Sequence, residues 1–121
     1  MKLSKPKIKI NAKEVGDNFM CDNNSLTHFE ANKLKFVGNY FMYHNNSLIH
    51  FEANELELIG CDFLCHNNSL THFEANDLES VGDRFMYWNN SLTHFEANQL
   101  ETVDEDFMYF HPKRKELCKL L

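Results

Sequence analysis

The residues best equipped for chemistry recur on a fixed beat. His28, His50, His72 and His94 are each followed two positions later by a carboxylate, at Glu30, Glu52, Glu74 and Glu96. Imidazole and carboxylate together suit three tasks. They can act as general acid and base, they can ligate a borderline divalent metal, and they can capture a partner by charge, with histidine titrating near neutral pH. Catalysis is not expected, because four equivalent copies on an open face do not make one desolvated pocket. The chain also carries no GxSxG, HExxH or Walker loop. Metal is not expected either: a flat ladder gives poor tetrahedral geometry, and the clustered short spacings of structural zinc sites are missing. The eight side chains are therefore assigned to partner binding, with no catalytic residue, no metal and no cofactor. Two alternatives stand beside that assignment: a metal- or pH-responsive binding protein using the same columns, and a repeat fragment without a function of its own.

The beat has a period of 22. NNSL begins at Asn23, Asn45, Asn67 and Asn89, and HFEAN follows each time. Counting from the leucine of NNSL, the units start at Leu26, Leu48, Leu70 and Leu92 and run to about residue 110. They share the pattern LxxFxAxxLxxVGxxFMxxNNS. Residues 1–25 form an N-terminal cap and partial repeat, one residue short between Ile10 and Val15. Residues 111–121 form a C-terminal cap or tail, with a short amphipathic helix over Leu117, Leu120 and Leu121 as the expected form and a frayed basic tail as its competitor.

A repeat with seven apolar positions cannot bury them alone, so successive units must stack. LxxFxA places positions 4 and 6 on one face of a short strand, and the His and Glu positions, 3 and 5, on the other. Parallel strands are expected near residues 27–31, 49–53, 71–75 and 93–97, with Phe73 buried in a middle turn. GDxFM has a polar residue ahead of two apolar ones, which suits an N-capped helical or 3₁₀ turn. The two asparagines that follow turn the chain into the next strand. Asn32, Asn54, Asn76 and Asn98, at position 7, can hydrogen-bond along the stack.

This pattern resembles a leucine-rich repeat, and within that group the BspA-like, or treponemal, class, which runs roughly LxxIxIPxxVxxIGxxAFxxCxS over one residue more. LTHFEANDLESVGDRFMYWNNS aligns with it segment by segment, with FM standing for AF and Asn for Cys. The resemblance implies an α/β leucine-rich-repeat solenoid. It would be a right-handed coil of about four repeats, with short parallel strands on a concave face and short helical or 3₁₀ turns on the convex side. It also implies adhesion or partner binding, since members are often surface or secreted proteins of microbes.

Composition narrows the partners. The chain has 121 residues, one domain's worth, and a formal charge of −6. Nucleic-acid binders usually carry the opposite sign, and no apolar run is long enough to span a membrane. From Cys21 to Phe107 there are 15 acidic residues against three basic ones, while both ends are lysine-rich. An acidic middle between basic ends suits a basic protein partner or end-to-end contact between copies. MKLSKPKIKINAKEVG has lysines but no continuous apolar stretch, so no Sec-type signal is expected. Residence in the cytoplasm and export without such a signal both remain open. Cys21, Cys61, Cys65 and Cys118 read as free thiols, because Cys21 and Cys65 share a repeat position two turns apart, too far for a disulfide. Tyr43, Tyr87, Trp88, Tyr109 and Phe110 fall on the return path, as packing or as a second contact surface.

Overall fold

The computed structural model describes residues 7–89 and 91–101. The C-terminal cap or helix expected over 111–121 lies outside them, as do Tyr109, Phe110 and Cys118. What is described is a parallel β-solenoid of about four turns, each of about 22 residues. Its strands are β1 (Lys7–Lys9), β2 (Glu14–Val15), β3 (His28–Glu30), β4 (Phe36–Val37), β5 (His50–Glu52), β6 (His72–Glu74) and β7 (His94–Glu96).

One sheet carries the repeated HFE triplets, in the order β1-β3-β5-β6-β7 with every pair parallel. The register is fixed by identity: His28, His50, His72 and His94 align, and so do the phenylalanines and the glutamates. A slip of one residue would turn every Phe outward, so the buried column and the register enforce each other. A second ladder pairs β2 with β4 and continues as a bridge from Phe36 to Leu58. The lysine-rich start supplies β1 at the sheet edge, where charged side chains discourage edge-to-edge pairing.

The interior is built on two phenylalanine columns. Phe29, Phe51, Phe73 and Phe95 point in from the sheet, with successive rings stacked at 5.4, 5.3 and 5.2 Å. Phe19, Phe41, Phe63 and Phe85 point in from the return, stacked at 5.5, 5.2 and 5.6 Å. Between the columns the rings meet edge to face, as Phe51 does with Phe63 at 5.7 Å. Both arrangements suit the aromatic quadrupole. Leu48, Ala53, Leu56 and Met42 fill the remaining space with no exposure.

The return path departs from expectation. No helix occurs among the described residues, so the coils are β-solenoid coils and not the strand-and-helix coils of an α/β leucine-rich repeat. GDxFM and its neighbours instead alternate in hand. Positive φ occurs at Tyr40, Met42 and His44, again at Asp62, Leu64 and His66, and again at Arg84, Met86 and Trp88. None of these is a glycine. The alternation turns peptide groups along the stack. The N–H of Tyr40 donates forward to the Cys61 carbonyl, that of Met42 back to Phe19, and that of His44 forward to Cys65. A helical turn would close its bonds within one coil, whereas this backbone hands them to both neighbours. Left-handed conformation costs roughly 1–2 kcal/mol per non-glycine residue. It persists here because those ladder bonds and the buried Phe and Met side chains fix it from both sides.

Glycine serves close approach instead. A Cβ on Gly60 would sit 2.8 Å from the Gly38 carbonyl carbon and 2.9 Å from the Asn39 nitrogen. The next corner is closed by Asn45, Asn67 and Asn89, all fully buried. The Asn67 amide donates to the Met42 and Cys65 carbonyls, and its oxygen accepts from the Asn45 N–H. The first coil is shorter than the rest. Ile8 aligns with Phe29 but Val15 aligns with Val37, so one residue is dropped at the corner between those two ladders.

Candidate functional site

The outer face of the HFE sheet carries the eight residues singled out by their spacing. The strands place all eight in two adjoining columns, which sheet alternation requires once Phe occupies the inside. The side chains are half-buried rather than fully solvated, because each column shields its own members. His72 and Glu74 are 29% and 23% exposed, against 49% and 36% for His94 and Glu96 at the last described strand.

The histidine rings stack along the sheet, but unevenly. His28 and His50 are 5.6 Å apart and inclined by 21°. His50 and His72 close to 4.3 Å at 10°, and His72 and His94 to 4.3 Å at 2°. Stacked imidazoles resist joint protonation. The His72 pKa lies below its ordinary value, first through burial and then through the rings of His50 and His94, with Glu74 pulling the other way. His28 is also lowered, by burial, by Lys7 beside it and by His50. Thr27 Oγ1 lies 3.0 Å from His28 Nδ1.

Three of the four glutamates are held from one side by the coil before and face histidine on the other. Glu52 Oε2 accepts from the Asn32 amide at 2.7 Å, Glu74 Oε2 from Asn54 at 2.7 Å, and Glu96 Oε2 from Asn76 at 2.6 Å. The other oxygen, Oε1, faces the Nε2 of the histidine on its own strand, at 3.5 Å in β5 and β6 and 3.6 Å in β7. The asparagines also bind one another: the N–H of Asn54 donates to Asn32 Oδ1, and that of Asn76 to Asn54 Oδ1. Spacing anticipates the asparagine ladder but not its second task, the orientation of the carboxylates. The signal lay in EAN, where positions 5 and 7 share a face.

At the N-terminal end the same columns are continued by Lys7 and Lys9, in register with His28 and Glu30. A groove of about 310 Å³ opens there, lined by both lysines, His28, Glu30, His50 and Glu52 among others. The return surface gathers a different set. His44 Nδ1 lies 2.8 Å from Asp22 Oδ1, Tyr43 meets His66 edge-on, and His66 stacks on Trp88 at 5.9 Å. Burial lowers the His66 pKa first, and His44 adds to it. Cys21, Cys61 and Cys65 are free thiols, and burial pushes Cys65 up to about 12, which leaves it inert. No described helix is long and apolar enough to cross a membrane.

No protein family, curated protein or solved structure matches the chain.

Proposed function

We propose that the chain is a non-catalytic protein-interaction module that holds a basic partner along the sheet face, through His28, Glu30, His50, Glu52, His72, Glu74, His94 and Glu96. The observation that carries this reading is the asparagine clamp. Three successive glutamates have one oxygen anchored by the coil before and the other left toward solvent and histidine. Carboxylates presented in this way are already ordered, which lowers the entropic cost of pairing with lysine or arginine. The strand ladder is complete in its backbone bonds, so the fold does not demand His or Glu outside. The face is also open and repeated, which favours an extended basic segment over a small substrate.

Kinship with BspA-like leucine-rich repeats belongs to the same proposal. The LxxFxAxxL half of the pattern supports it, and the alternating-hand return weighs against it. Contact between copies, the basic end of one against the acidic middle of another, is a second mode of association for the same module.

Fluorescence anisotropy with a lysine-rich peptide tests the reading. At low salt and pH 7.5 the wild type is expected to bind, and the Glu52→Gln, Glu74→Gln double variant to bind several-fold more weakly. Binding should also weaken as the pH falls through the lowered pKa of His72, because the proton it then takes up lies 3.5 Å from Glu74 and offsets that carboxylate. Binding indifferent to both changes would move the working surface to Tyr43, His66 and Trp88.

A further inference from the structure

The histidine column is closely stacked from His50 to His94, and within that stretch the ligand atoms converge at its far end. One ring nitrogen of His72, one of His94 and a carboxylate oxygen of Glu74 all lie within 4.8 Å of one another. We propose that His72, Glu74 and His94 form an open binding site for a divalent transition metal of the zinc class. The proposal does not rest on the partner reading, since it needs three side chains and no macromolecule.

Three features carry it. The donor set, two imidazoles and one carboxylate, is the one that borderline cations prefer, and it recurs in zinc sites that keep one coordination position free. The carboxylate is also prepared. Asn54 holds Glu74 Oε2 at 2.7 Å, so Oε1 is the oxygen left to ligate, and an orienting partner of this kind strengthens metal sites. Finally, the ligands have room to converge. Donors bonded at about 2.0–2.1 Å to a tetrahedral ion stand about 3.3 Å apart, so each must move by roughly 1 Å. His72 Nε2 and Glu74 Oε1 are already at 3.5 Å. The His94 side chain, 49% exposed, can swing the rest of the way.

The opposite end of the column lacks these features. His28 and His50 stand 5.6 Å apart, and Lys7 aligns with His28, adding a positive charge to that end of the column that opposes a cation. The column therefore contains its own control. A site made merely of exposed histidines would be indifferent to which end was altered.

Zinc titration calorimetry on the tag-free, chelator-stripped full chain at pH 7.5 provides the test. One ion per chain is expected, with micromolar affinity. His94→Asn and His72→Asn should each weaken it at least tenfold, and Glu74→Gln by about tenfold. His28→Asn and His66→Asn should leave it unchanged. Copper(II) substituted for zinc should show two nitrogen ligands by electron paramagnetic resonance in the wild type and one in His94→Asn. Circular dichroism verifies each fold, and His94→Asn, at a half-exposed position, decides the matter if His72→Asn unfolds. The proposal is overturned by any of three outcomes: saturation only at millimolar zinc, affinity unaffected by His94→Asn, or an equal loss in His28→Asn.

Discussion

The two long sides of each coil solve the same problem in opposite ways. On the HFE sheet the backbone is ordinary extended strand, the bonds between coils are the familiar parallel ladder, and the outward histidines and glutamates add stacking and side-chain bonds to it. On the return the backbone alternates in hand, three residues per coil are left-handed, and neighbouring coils approach so closely that a Cβ on Gly38 or Gly60 would collide with the coil before. The sheet repeats His and Glu without change, while the return varies from Asn18 through Tyr40 and Asp62 to Arg84.

The comparison breaks first at the core if it breaks at all. Phe73 comes from the sheet and Phe63 from the return, and both are fully buried. Replacing either with Ala should cost about 3–5 kcal/mol by chemical denaturation. Markedly unequal losses would show that one side is dispensable to the stack. The next contrast lies within the return. Gly60→Ala meets backbone of the coil before it and should cost about 1–3 kcal/mol. Gly16→Ala meets nothing within 4 Å in the first coil and should change stability by less than about 0.5 kcal/mol. Equal effects at the two glycines would refute close approach as the reason for glycine there.

The smallest effect comes from pH. His28, His66 and His72 have folded pKa values below the unfolded value of about 6.5. In that window the unfolded chain binds more protons than the folded one, so stability falls with falling pH. Their contribution is intact above about pH 6.5 and is lost between there and the lowered folded values. Thermal melts at pH 7.5 and 5.5 should differ by roughly 2–5 °C, with the melting temperature lower at pH 5.5. The His72→Asn variant should narrow that gap, since two of the three groups lie on the sheet. A gap unchanged in this variant would assign the pH sensitivity to the return.

The sheet was legible because its signals are local. HFEAN alternates within five residues, and β3, β5, β6 and β7 fall inside the spans that the alternation marks. The return was not. Asn18, Asp22 and Asp62 are types that tolerate positive φ, but Met42, Leu64 and Met86 give no such sign. A polar residue before Phe-Met fits a capped turn as well as an alternating stretch. The choice is made by hydrogen bonds to residues about 22 positions away, which no local pattern records. The histidine columns were legible in type and face but not in spacing. The difference between 5.6 and 4.3 Å, which separates the two ends of the column, has no counterpart in the identical HFE triplets that carry the rings.

The shortened first coil shows where this architecture permits a change of length. Between Ile8 and Val15 the chain omits a residue, yet both flanking ladders keep their partners in the next coil. Chain length is therefore negotiable at the corner that follows the HFE strand. In the inner coils that corner holds Lys33, Glu55 and Asp77, exposed residues whose identity changes from coil to coil. Insertions or grafted loops belong at these points, where they would decorate the rim of the HFE face without disturbing its spacing. The glycine corner offers no such freedom, and an added residue there would break the continuity of the stack.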